Sequence, residues 1–172
     1  AALWTYKGIK GYQPLVAAWA ETGLILADEF RDGNVPGDMA PLNCARAAFA
    51  VLPASVTHRA FRGDTACYEG HLLSWLDDPH REGGPAGLIE YAVGAPGHAG
   101  LVGSMKRVPE AAWVTQETEE DGTLRQWADL DYVPSARYED KMARPRRYIG
   151  IRLLKAQGTL FADGSDRHYH AL

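Results

Sequence analysis

The stretch from His58 to Leu76, "HRAFRGDTACYEGHLLSWL", decides how the chain is read. An Arg62-Gly63-Asp64 tripeptide sits between a short strand-like run, Val56 to Phe61, and a segment with helical spacing, Thr65 to Leu76. In that segment Tyr68, Leu72, Trp75 and Leu76 share one side, as a period of 3.6 residues requires of a buried stripe. The expectation is a strand that stops, an Asp at the junction, and a helix. Three roles are open to Asp64. It can N-cap the helix, which is the commonest use of an Asp in that position. It can hold Mg²⁺ outside the carboxyl end of a strand, where ligands gather in open α/β sheets. Or the tripeptide can be an adhesion motif, which requires an exposed loop in an extracellular protein.

On the amino-terminal side, "GYQPLVAAWAETGLILADEF" holds two apolar runs, Tyr12 to Trp19 and Leu24 to Phe30, around the turn Glu21 to Gly23. That is a β-hairpin signal. "RDGNVPGD", Arg31 to Asp38, is a loop. Met39 to Leu52 has helical spacing, with Leu42, Ala45, Phe49 and Leu52 on a stripe, Asp38 as N-cap and Pro53 as terminator. Gly87 to Ala95 reads as a strand again. The order of strand, strand, helix, strand, helix, strand implies a mixed sheet flanked by helices. From about Ala111 the texture turns β-rich. Two strand-like runs flank the acidic turn "EEDG", and "RRYIGIRLL" and "GTLFADGSDRHYHAL" follow, with "ADGSD" as a turn. The expected division is a core over residues 1–98 and a β-rich segment over 99–172.

The bulk numbers are those of an ordinary globular chain: 172 residues with a net charge of −4. No apolar run is long enough to span a membrane, and no leader pattern opens the chain. Cys44 and Cys67, the two cysteines, have neither disulfide-framework nor zinc spacing, which fits a reducing, cytoplasmic setting. The mean charge hides a gradient. Glu117 to Asp121 is an acidic run, whereas Arg137, Lys141, Arg144, Arg146, Arg147, Arg152 and Lys155 crowd the segment 137–155. The first residue is Ala, and the closing "RHYHAL" reads as a strand cut in mid-run, so a fragment of a longer protein is expected.

Three segments, "WTYKGIKGYQPLVAAWAETGLILADEFRDGNVPGD", "LPASVTHRAFRGDTACYEGHLLSWL" and "ARPRRYIGIRLLKAQGTLFADGSDRHYHAL", together resemble a DDE-type insertion-sequence transposase over nearly the whole chain. "YKGIKGYQPL", "EFRDGNVPGD" and "RGDTACY" are the most specific pieces. The resemblance implies an α/β, RNase H-like mixed sheet with flanking helices and a β-rich insertion, incomplete at both ends. It implies a bacterial enzyme that cleaves and joins DNA by metal-dependent phosphodiester transfer. An Asp, Asp, Glu triad would hold two Mg²⁺ ions. The implied partners are double-stranded DNA with terminal inverted repeats and a second transposase copy on that DNA. Asp64 matches the second acid of the triad, and Arg62 belongs to the same motif. The first Asp is expected upstream of Ala1 and the Glu downstream of Leu172. The chain alone is then expected to be inactive, and a catalytically dead remnant acting as a DNA- or protein-binding module is the alternative. A third alternative is an RNase H-like nuclease with another task.

Lys7 and Lys10 in "KGIKG", with Arg144, Arg146, Arg147 and Arg152, are the candidates for DNA contact; a solvated basic face paired with the acidic run is the plain alternative. Trp113 and Trp127 could stack on a base, but packing of a small β-layer is the simpler expectation. His168 and His170 alternate on one face with no further ligand at metal spacing. Cys67 reads as a buried small residue.

Overall fold

A computed structural model describes residues 1–134, 146–155 and 167–172. The chain divides into two compact units, Ala1–Val93 and Gly94–Leu172. It is a mixed α/β protein of short sheets and a few helices.

The first unit opens with a small antiparallel ribbon of β1 (Leu3–Trp4) and β2 (Lys10–Gly11). The expected hairpin follows as β3 (Leu15–Trp19) and β4 (Leu24–Glu29). Its turn closes where the amides of Thr22 and Gly23 donate to the Trp19 carbonyl, and Gly23 takes φ 70°, which a side chain would resist. Helix α1 (Pro41–Ala50) buries Pro41, Cys44, Ala45 and Ala48 and packs on both strands of the hairpin. Asp38 does not cap it. Pro41 sits in the first turn, where its missing amide costs nothing, and Ala40 provides the N-cap in a left-handed conformation with no side-chain bond.

Strand β5 (Ala60–Gly63) runs parallel to β6 (Glu90–Val93), and the crossover between them carries a 3-10 turn (Thr65–Cys67) and helix α2 (Gly70–Asp77). The single helix expected over residues 65–76 is thus split. Glu69 makes the break, because its carboxylate accepts from the amides of His71 and Leu72 and starts α2 afresh. Leu72, Leu73, Trp75 and Leu76 form the core with Ala45, Cys67, Ile89 and Val93. Among the described residues, the hairpin and the parallel pair remain separate two-stranded sheets, and no strand joins them into the expected mixed sheet.

In the second unit, helix α3 (Ala99–Arg107) precedes a four-stranded antiparallel sheet ordered β10-β9-β8-β7, from β7 (Val114–Thr118), β8 (Leu124–Leu130), β9 (Tyr148–Leu154) and β10 (Arg167–Ala171). This is the β-rich segment expected after Ala111. The acidic turn is ordered by Asp121, whose carboxylate accepts from the Thr123 amide; that bond holds its carboxyl below the usual range. Leu101 and Met105 of α3 are buried, as are Ala128, Leu130 and Tyr148. Gly150 admits this packing: a Cβ there would lie 2.9 Å from Leu130 Cδ2 and 3.1 Å from Met105 Cγ. The "ADGSD" turn lies outside the described residues.

Gly63 is set by contact of the same kind. A Cβ on it would fall 2.6 Å from Cys67 Cβ and 2.7 Å from Cys67 Sγ. Gly63→Ala is expected to cost about 1–3 kcal/mol through overpacking. Chemical denaturation would measure the loss, and Cys67→Gly in the same chain should restore a part of it.

Candidate functional site

Asp64 stands where β5 ends. Gly63, with no side chain, lets the chain turn tightly against Cys67, and the carboxylate of Asp64 then reaches forward to accept the Ala66 amide at 2.9 Å through Oδ1. Asp64 is therefore the N-cap of the 3-10 turn. Its Oδ2 has no partner among the described residues, and both Asp64 and Arg62 are exposed. The cap and an open carboxylate coexist in one residue.

The two thiols lie on the inner side of this junction. Burial pushes the Cys67 thiol up, and the nearby charge of Asp64 adds to the effect. Cys44 is raised by burial first and by Glu29 second. Neither has the features of a nucleophile, which needs a lowered pKa and an exposed sulfur. Arg31 is buried near Cys44; its Nη2 donates to Glu29 Oε2 at 3.0 Å, while its Nε has no partner among the described residues. Sequence reading did not find Arg31, because an Arg in a Gly/Pro/Asp loop reads as surface.

Two Mg²⁺ ions would need several carboxylates converging on one point. Among the described residues no three His, Cys, Asp or Glu side chains form such a group. Asp64 can supply one ligand, and the described part of the chain does not by itself assemble a two-ion site. His168 and His170 are both exposed on β10 and likewise have no third ligand among the described residues.

The basic candidates separate into two kinds. Lys7, Lys10 and Arg62 are exposed, and no acid among the described residues pairs with them. Those of the second unit are engaged. Arg147 donates from Nε and Nη2 to the two carboxylate oxygens of Asp129, a bidentate pair that holds the Asp129 carboxyl below its usual range. Arg152 is only 2% exposed. Its Nε donates to Gln126 Oε1 at 2.7 Å, its Nη1 and Nη2 to the Glu110 carboxylate, and its guanidinium lies 4.4 Å from the Trp113 ring centroid. Arg152 therefore turns inward and is not available to a phosphate. Trp113 is buried beneath it, and Trp127 is half-buried in β8, which is the packing role expected of both. Arg146 is half-buried and has partners of its own. Arg144 lies outside the described residues.

Comparison of the chain with protein-family models, curated proteins and solved structures finds no match.

Two substitutions test this geometry. Asp64→Ala should cost about 1 kcal/mol through loss of the cap, whereas Asp64→Asn, which keeps an acceptor oxygen, should be close to neutral in denaturant unfolding. Arg152→Met should destabilise the chain by about 1–2 kcal/mol, since the buried Gln126 amide oxygen loses its donor while the exposed Glu110 is rehydrated; Lys at position 152 should rescue little, having no bidentate fork.

Proposed function

We propose that the chain is part of the catalytic domain of a DNA transposase with an RNase H-like core, in which Asp64 is one of the metal-holding acids. One observation carries this reading: an exposed carboxylate, with one oxygen unpartnered, fixed at the carboxyl end of a parallel strand. The surrounding order supports it. An antiparallel hairpin precedes a strand, a helix and a second parallel strand, and a β-rich segment follows. The resemblance of "YKGIKGYQPL", "EFRDGNVPGD" and "RGDTACY" to insertion-sequence transposases supplies the reaction class. On this reading the other two acids come from sequence flanking the 172 residues. Asp64 contributes a ligand to Mg²⁺, Arg62, Lys7 and Lys10 face the DNA backbone, and the substrate is double-stranded DNA with terminal inverted repeats, bound by two transposase copies.

The isolated acid favours a second reading, a transposase-derived module that binds DNA or protein without cutting. Cleavage separates the two. The 172-residue chain should bind duplex DNA with an affinity that falls steeply with salt, and should leave supercoiled plasmid intact in Mg²⁺. The protein encoded together with its flanking sequence should cleave DNA. There Asp64→Asn should remove several kcal/mol of charge stabilisation, a loss of roughly a thousandfold in rate, with duplex binding unchanged. Cleavage that survives Asp64→Asn would overturn the catalytic assignment, whereas nicking by the 172-residue chain that Asp64→Asn abolishes would keep Asp64 catalytic and overturn the expectation that the other two acids lie in flanking sequence.

A further inference from the structure

The first unit carries a set of exposed aromatic rings, beside Lys7 and Lys10, that the catalytic reading does not use. In the β1–β2 ribbon Trp4 is 63% exposed and Tyr6 79% exposed. Close by, Tyr12 is 46% and Phe30 69% exposed, with ring centroids 4.5 Å apart. Four large rings exposed within one small region form the kind of apolar surface that binding sites use. The rings are interleaved with cations. Trp4 and Lys10 face each other across the ribbon, with Lys10 Nζ 5.7 Å from the Trp4 centroid. Lys7 Nζ lies 5.7 Å from the Tyr6 centroid. Strand alternation places Tyr12 on the same side as Lys10. Trp4, Lys10, Tyr12 and Phe30 thus form one strip.

The ribbon is held by its own hydrogen bonds and carries only positive charges, Lys7 and Lys10. The Thr5 amide and hydroxyl both donate to the Ile9 carbonyl, the Gly8 amide returns to Thr5, and Gly8 takes φ 71° to close the turn. Gly33 presses against the carbonyl oxygens of Leu3 and Gly11, where a Cβ would lie 2.3 Å from each, so the following loop clamps both strands. No acid occurs between Ala1 and Ala20, and Glu29, next to Phe30, is paired with Arg31. A fixed platform loses little entropy on binding.

We propose that this ribbon binds an unpaired nucleic-acid strand, with bases stacking on Trp4, Tyr6, Tyr12 and Phe30 and phosphates meeting Lys7 and Lys10. Charge complementarity selects a polyanion. Alternation of ring and cation matches a strand that presents one base face and one charge per nucleotide. Bases within a duplex are stacked on each other, so exposed rings select unpaired ones. The inference deepens the DNA reading above and rests on it.

The test is fluorescence anisotropy of the 172-residue chain with labelled oligo(dT), an abasic oligonucleotide of equal length, and a duplex. Stacking requires the abasic strand to bind roughly tenfold or more weakly than oligo(dT). Trp4→Ala and Tyr6→Ala should each weaken oligo(dT) binding by about five- to tenfold and leave duplex binding unchanged. Both side chains are exposed, and circular dichroism would confirm that the variants fold. Equal affinity for the abasic strand, or wild-type affinity in Trp4→Ala, overturns the stacking site while leaving the catalytic reading intact. Failure to bind any of the three nucleic acids overturns both. Conversely, stacking that holds while cleavage survives Asp64→Asn retains the strip and removes the catalytic assignment. Trp4-dependent binding to phosphatidylserine vesicles without oligo(dT) binding would make the strip a membrane contact. Trp4-dependent self-association in sedimentation, again without oligo(dT) binding, would make it an interface between copies. Either result overturns the proposal.

Discussion

The parallel pairing of β5 and β6 depends on the buried guanidinium of Arg81. A parallel pair cannot close through a tight turn, so the chain must climb α2 and return through a long loop. That return leaves the last carbonyls of α2 without helical partners. Arg81 meets both needs. It donates from Nε to Trp75 O at 2.8 Å and from Nη2 to Leu76 O at 3.1 Å, at the helix end. From Nη1 it donates to Pro85 O at 2.5 Å and Gly87 O at 2.8 Å, in the returning loop. The Trp75 ring lies 5.3 Å from its centre and donates its own indole N–H to the Glu82 carbonyl. Burial lowers the Arg81 pKa, yet an Arg stays protonated, and backbone dipoles replace the water it has lost. Gly84 is pressed flat against Trp75, where a Cβ would lie 2.2 Å from the ring. The loop "PHREGGPAGL" is thus folded around a cation, and β6 leaves it already aligned with β5.

A second consequence of pairing concerns where free positive charge remains. Counted along the sequence, the basic residues crowd 137–155, and that is where a polyanion contact is expected. The sheet changes this. Register places Asp129 beside the start of β9, where Arg147 clamps it, and β8 brings Gln126 opposite Arg152, whose remaining donors go to Glu110. Arg125 is likewise paired, with Glu119 and Glu117. Cations committed to intramolecular acids release few counterions on meeting DNA. Of the candidate cations, the ones without an acid partner among the described residues, Lys7, Lys10 and Arg62, belong to the first unit, so pairing as well as local charge density decides which of them stay free.

The features legible in the sequence are those set by local chemistry. The hairpin is legible because Glu21-Thr22-Gly23 interrupts two apolar runs and Gly23 accepts the positive φ. The strand-to-Asp junction is legible because a strand-like run ends at Phe61 and the Arg-Gly-Asp that follows leads into the apolar helical stripe of Leu72, Trp75 and Leu76. Helix α1 begins later than expected, since a proline at the first turn competes better than an Asp three residues earlier. Helix α3 is hard to see: Gly100 and Gly103 lower its propensity, and its buried face is only Leu101, Ser104 and Met105. The inward turn of Arg81 and Arg152 has no sequence signature, because the partners of the first are carbonyl groups and those of the second lie 26 and 42 residues away. The mixed sheet is the larger discrepancy. Element order predicts it, but order does not say which strand edges meet.

The cap role of Asp64 and its proposed ligand role do not compete. A carboxylate that caps a turn spends one oxygen on one amide, here Oδ1 on Ala66, and its side-chain torsion is fixed in doing so. The other oxygen keeps its lone pairs and a defined direction. A metal ligand needs both, because an ion that tolerates little departure from octahedral geometry penalises a mobile donor. The contact between Gly63 and Cys67 adds a second restraint on the same two residues of backbone, and the buried thiol supplies it without introducing a charge. Each position of the Arg-Gly-Asp tripeptide then has a physical reason. Arg62 presents a charge to solvent from the end of the strand. Gly63 yields the space that Cys67 occupies. Asp64 turns the chain with one oxygen and offers the other outward.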